Sequence, residues 1–268
     1  MALNINLMEH YEKCFDPRKL KDTYLCQKSA FLTDAIFQLF PPLLKILSSG
    51  AVKGDSLIQI TFGPFIQYTL PACKYFTEIF FACPNNKSIQ EVKKWLKEDS
   101  DALDWSHAIK DICELQGSGE TPMECQNMIR RKIKDVFKCD LNKSNPLSPV
   151  VLPPADSLLL VHCLEFLTND KETFCKAMKN VSSLLKPGGH LLMVIDLKTT
   201  FFMFGDFKFP VLYIEESPLR STLNDAGYVI RESHIFHRKT ECLYDLTDYG
   251  DVMVLYACKE REVQPSDT

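Results

Sequence analysis

The chain has 268 residues, 46% of them hydrophobic and 25% charged, and a formal net charge of -4. That balance fits one large globular α/β domain or two small ones, and its mild acidity argues against nucleic acid or an anionic membrane as partner, since both call for a basic surface. No apolar run reaches the ~18 residues of a membrane span, and the first fifteen residues lack the basic-then-apolar order of a secretory leader.

Eleven cysteines are scattered without a C-x-x-C pair. They read as reduced thiols packed as small hydrophobes in a cytoplasmic protein, with no metal site and no disulfide framework.

In chain order, residues 6–25 form an amphipathic arm, and residues 30–47 carry an apolar helical pattern interrupted at Pro41-Pro42. Strands and helices then alternate, the mark of a parallel sheet covered on both faces. A strand is expected over Leu57 to Ile60, helix over Ile66 to Cys73, strand over Glu78 to Ala82, and helix over Ser88 to Lys97. The polar stretch 100–123 holds one helix around His107 to Leu115. A helix from Glu124, with Met128, Ile129, Ile133 and Val136 at helical spacing, leads into a strand at Val136 to Cys139. The apolar run Ser157 to Val161 reads as a central strand. A helix follows over Asp170 to Leu185, stopped by Lys186-Pro187-Gly188-Gly189, and then a strand over His190 to Leu197. An aromatic hairpin turns at Gly205-Asp206. A helix over Pro218 to Ala226, strands at Tyr228 to Ile235 and Asp251 to Ala257, and a mobile tail over 259–268 complete the chain.

Several segments in fixed order carry a resemblance: Phe15-Asp16-Pro17-Arg18, Val52-Lys53-Gly54-Asp55, the helix with Trp95 followed by Asp104-Trp105-Ser106, Lys138-Cys139-Asp140, Pro153-Pro154-Ala155-Asp156, and Leu184 to Gly189. Together they resemble the family of nicotinamide, phenylethanolamine, indolethylamine and thioether methyltransferases. The resemblance implies a single α/β domain of class I, Rossmann-like methyltransferase fold. Its seven-stranded sheet would have the last strand antiparallel, with N-terminal lid helices over 1–50, a core over 51–258, and a β-hairpin after the fifth strand. It also implies S-adenosylmethionine across the carboxyl ends of the strands, a small amine, pyridine or thioether acceptor, and a monomer. The placement of the site has an independent basis in open α/β sheets.

Carried over position by position, the resemblance assigns donor contacts to Gly63, Asp140, Leu141, Cys83, Ser88 and Tyr24. Several positions depart from the family's residues. Gln59 and Cys83 stand where carboxylates are expected, Thr61 where a glycine is, and Phe62 lies beside it on the cofactor loop; Gln67, Leu20 and Leu25 replace tyrosines. A charge-assisted bond contributes about 1.5–3 kcal/mol, so losing the ribose carboxylate and part of the loop moves a micromolar donor towards millimolar binding.

On the acceptor side the candidates are Thr199, His162 and Asp196, with Glu165 near His162. Counting from Gly188-Gly189, the family's acceptor-orienting acid falls on Ile195, so Asp196 faces the acceptor only if a bulge shifts the strand. Two readings stay open: a methyltransferase with a remodelled donor pocket, and a catalytically silent member acting as a binding or regulatory protein.

Overall fold

The computed structural model describes residues 7–25, 30–237, 246–248 and 250–262. Strands β1 (Ser56–Thr61), β2 (Glu78–Cys83), β3 (Ile133–Lys138), β4 (Ala155–Val161) and β5 (Leu185–Leu197) pair in parallel. A separate hairpin, β6 (Phe201–Phe204) and β7 (Phe207–Pro210), follows, and β8 (Tyr228–His237) and β9 (Asp251–Lys259) complete the main sheet in the order β3-β2-β1-β4-β5-β9-β8. β9 runs antiparallel to both of its neighbours, as the fold class requires. β1 and β4 are buried almost throughout because helices cover both faces of a parallel sheet.

The chain winds outward from β1 through β2 to β3, then crosses back to lay β4 on the other side of β1. That reversal opens a crevice outside the carboxyl ends of β1 and β4, the place where open α/β sheets bind ligands. Two short helices, α1 (Leu7–Cys14) and α2 (Pro17–Tyr24), belong to the cover of this crevice. Asp16 caps α2 by accepting from the amide of Arg18, and Pro17 occupies the first helical position.

Helix α3 (Ala30–Ser48) runs unbroken through Pro41 and Pro42, against the interruption expected there. Burial of Leu39, Phe40, Leu43, Ile46 and Leu47 outweighs the two lost N–H donors. The 3-10 helix Ile66–Lys74 follows β1, and α4 (Asn86–Leu96), α5 (Ser106–Gln116) and α6 (Pro122–Lys132) lie between β2 and β3. α6 stops at Lys132, because Ile133 and Val136 belong to β3, where they pair with Ile79 and Phe81 of β2 and are buried.

After β4 come α7 (Leu164–Leu167) and α8 (Lys171–Ser182), and α9 (Glu216–Asp225) precedes β8. α8 likewise ends earlier than the periodicity implies, and Leu185 already pairs with Ala155. Lys186 to Gly189 then loop out before pairing resumes at His190, with Gly188 at φ 73°. The expected tail begins too early: Lys259 lies in β9, and the amides of Glu260 and Arg261 donate to Gly227 O; residues 263–268 lie outside the described residues.

Three of the segments that carry the resemblance meet in space. Asp156 accepts from the amides of Asp55 (2.8 Å) and Ser56 (3.0 Å) and from Lys186 Nζ (2.6 Å), clamping the starts of β1, β4 and β5. Burial raises the Asp156 carboxyl, but the Lys186 bond and the main-chain donors outweigh it and hold the group well below its ordinary value. Gly54, at φ 133°, is required beside it, since a Cβ there would meet Asp156 Cβ at 2.1 Å. No helix among the described residues is long and apolar enough to cross a membrane.

Candidate functional site

The loop after β1 departs from a ligand cradle in a definite way. Thr61 turns its hydroxyl onto Gly63 O (3.1 Å), and Cys83, at the end of β2, donates its thiol to the same carbonyl (3.6 Å). Burial pushes the Cys83 thiol well above its ordinary pKa, so it is a neutral group. Phe62 is 1% exposed and stacks on Phe166 with centroids 4.2 Å apart, with Phe15 and Tyr11 edge-on to it. Gln59 is satisfied by the segment that follows β1, donating to Phe65 O and accepting from Thr69.

The lid is fastened to this loop. Tyr11 donates its hydroxyl to Phe62 O (3.0 Å), and a methyl of Leu20 would lie 3.0 Å from a Cβ on Gly63, so a larger residue there would press on the lid. Tyr24 donates to Met203 O and Leu246 O, tying α2 to the aromatic hairpin. Lys87 Nζ reaches Phe15 O and Asn86 meets Glu12, so the lid also covers the start of α4.

Beyond β4 the crevice holds an ionisable cluster. His162 stands at φ 44°, the left-handed region that non-glycine residues rarely adopt, and places Nδ1 2.8 Å from Asp196 Oδ2. Glu165 accepts from the amide of Asp196 (3.0 Å) and lies 3.9 Å from His162 Nδ1. On the far side of the ring, Nε2 is 3.4 Å from Tyr68 Oη. Glu165 and Asp196 are 1% and 2% exposed. Burial and the neighbouring Asp196 lift the Glu165 carboxyl well above the usual range despite His162; burial lowers the His162 imidazole, but Asp196 and Glu165 outweigh it and raise it.

Asp196 therefore joins His162 although β5 keeps an unshifted register with β9 through Ile195↔Met253 and Asp196↔Val252. Thr199 is apart from this cluster: it is buried and donates to Leu197 O. His234 and His237 pair separately, with Glu232 and Asp251. Cys26 and Cys242 lie outside the described residues, and the nine described cysteines are all free thiols.

Whether S-adenosylmethionine fits turns on which polar groups await a partner. Asp140 stands half-exposed past β3, its Oδ1 accepting from the amide of Asn142, and Leu141 beside it is buried, which suits an adenine ring. After Cys83, Asn85 Nδ2 and Ser88 Oγ are buried with no partner among the described residues; they offer a ribose one amide donor and one hydroxyl in place of a carboxylate. Asn85 escaped the sequence reading because its Oδ1 caps α4 on the amide of Ser88 (2.7 Å), a role that any Asn before a helix suggests.

A family model described as the NNMT/PNMT/TEMT family matches residues 4–260. Human nicotinamide N-methyltransferase is 37% identical over 222 residues, 82% of this chain and 84% of the relative. Rabbit indolethylamine N-methyltransferase is 36% identical over 84% of this chain and 86% of its own length, and mouse phenylethanolamine N-methyltransferase 31% over 83% and 76%. Among solved structures, magnesium protoporphyrin IX methyltransferase from Synechocystis with bound SAM aligns at TM-score 0.58 and 11% identity over 97% of this chain and 99% of that one. A SAM-dependent methyltransferase from Methanosarcina mazei aligns at TM-score 0.55 and 15% identity over 81% and 98%, and at these identities the likeness is one of fold. With the sheet, the lid and the crevice in place, the chain belongs to the NNMT/PNMT/TEMT family of methyltransferases.

Proposed function

We propose that this protein transfers a methyl group from S-adenosylmethionine to a small amine, pyridine or thioether acceptor, through a donor pocket of reduced affinity. The observation that carries this is family membership across residues 4–260, among relatives named for nitrogen methylation of nicotinamide, indolethylamine and phenylethanolamine. The bound donor supplies an electrophilic methyl on a sulfonium. Reaction with a lone pair then needs alignment and dryness more than acid or base.

In this chain Leu141 and Asp140 would hold the adenine, and Asn85 and Ser88 the ribose. Tyr11, Phe15, Leu20 and Tyr24 exclude water from above. Neutral hydrogen bonds contribute about 0.5–1.5 kcal/mol where charge-assisted ones give about 1.5–3, so ribose recognition is weakened rather than abolished. The same reading takes the protein as a cytoplasmic monomer without a nucleic-acid partner. Eleven scattered cysteines without a pairing framework support a reducing compartment.

The test is calorimetry and thermal unfolding with S-adenosylmethionine and its demethylated product, followed by labelled methyl transfer to a panel of amines, pyridines and thioethers. Binding between roughly 0.1 and 1 mM, weakened by Asp140→Ala, is expected. The alternative, a catalytically silent binding protein, rests on the replaced loop residues, Thr61 and Cys83, which both bond Gly63 O beside the buried Phe62. Absence of stabilisation by donor at millimolar concentration would establish that alternative.

A further inference from the structure

We propose that His162, Glu165 and Asp196 form a site for one divalent transition-metal ion of the zinc type. The three residues come from separate elements: the turn after β4, helix α7 and the end of β5. Each turns one ligand atom into the same small volume, all within 4.8 Å of one another.

The first reason is a shortage of positive charge. Elsewhere in the molecule, shielded carboxylates meet full cations: Glu91 meets Arg18 and Lys94, Asp251 meets Lys198, and Asp156 meets Lys186. Glu165 and Asp196 are more deeply buried than any of these, and among the described residues they share a single imidazole. With one histidine between them, the two buried carboxyl groups are neutral only while one keeps a proton, and a bound cation is what would take that proton's place.

An independent reason is an open valence. Asp196 uses Oδ2 on His162, while its Oδ1 is buried with no partner among the described residues. Buried carboxylate oxygens are almost always bonded, so an orphaned one points to something that completes it.

Geometry and support agree. Ligands at about 2.0–2.1 Å around a tetrahedral ion stand about 3.3 Å apart. The observed 2.8 Å from His162 Nδ1 to Asp196 and 3.9 Å to Glu165 straddle that spacing, so small rotations of the two carboxylates centre an ion. A histidine that ligates through Nδ1 carries its proton on Nε2, and Tyr68 Oη, 3.4 Å away, is placed to accept it. One imidazole and two carboxylates suit Zn2+, Co2+ or Mn2+, whereas Mg2+ and Ca2+ take more oxygen ligands than the site offers. The proposal does not depend on methyl transfer.

The full chain, stripped with chelator and dialysed, is titrated with Zn2+ by calorimetry and thermal unfolding, and with Co2+ by visible absorption. One equivalent is expected to bind and raise the unfolding midpoint, with a tetrahedral nitrogen and oxygen Co2+ spectrum free of thiolate bands. Tyr68→Phe should weaken binding roughly tenfold. Glu165→Gln with Asp196→Asn should lose it altogether. His162→Asn, a residue that tolerates the left-handed backbone, gives a second variant if the first does not fold. Retention of Zn2+ binding in either variant, a thiolate spectrum, or no binding by the parent chain would overturn the proposal.

Discussion

Phe62 sets packing against donor access. Its ring is core by every packing measure, yet it stands in the loop that should admit the donor. Phe62→Ala is expected to lower stability by about 3–5 kcal/mol in urea unfolding, as other buried phenylalanines do, while tightening donor binding in calorimetry. Loss of stability with no gain in affinity would show that the ring blocks nothing. Glu165 gives a prediction in pH. Its folded pKa lies above its ordinary value of 4.5. The folded chain therefore holds the extra proton, and this contribution to stability is complete below the ordinary value and fades as pH rises towards the folded one. His162, also raised, acts in the same sense across its own interval. In chelator, urea unfolding of Glu165→Gln should fall less steeply than that of the parent chain between pH 5 and pH 8.

At the scale of elements, the proline pair in α3 is an internal conflict that burial resolves. Pro41 is exposed and makes no packing case for itself. Pro41→Ala should stabilise the chain by about 2 kcal/mol in thermal or urea unfolding, the helical gain less the entropy released to the unfolded chain. The sequence made the order of strands and helices legible, because period-two and apolar runs report which faces meet helices. Element ends were less legible. Ile133 satisfies a helical spacing as well as it begins β3, and only the partner strand decides between them. Leu185 was hidden in the same way, since the pairing that claims it, with Ala155, lies thirty residues upstream. The acceptor-side cluster was half visible. His162 and Asp196 could each be nominated singly, but their meeting depends on the left-handed turn at residue 162, and histidine carries no strong signal for that conformation.

Across the whole molecule, sheet and lid are fixed at opposite ends by different means. At the amino ends of β1, β4 and β5, Asp156 gathers two amides and an ammonium. Its depressed pKa means the clamp holds above the ordinary carboxylate value and is lost only as pH falls through the lower folded one. Asp156→Asn, which keeps one acceptor and loses the charge, is expected to lower stability by about 1–3 kcal/mol near neutral pH in urea unfolding. At the carboxyl ends the lid is spread over aromatic contacts, the Tyr11 and Tyr24 hydroxyls and polar contacts such as Arg18 with Glu91. Of these bonds only that of Tyr11 fastens it to the loop after β1, through the main chain of Phe62. Tyr11→Phe should speed amide exchange in residues 7–24 with little change in global stability, since one neutral bond contributes about 1 kcal/mol.

The far end of β9 also sets where the polypeptide can be shortened. Lys259 reaches inward, and its ammonium answers the carbonyls of Ser182 and Leu185, where α8 finishes and β5 starts. A cation at that point neutralises the negative pole of the helix and supplies donors to buried oxygens. A stop codon placed after residue 262 should leave a chain that expresses and melts normally. One placed just ahead of Lys259 strands two sequestered oxygens and yields an insoluble product.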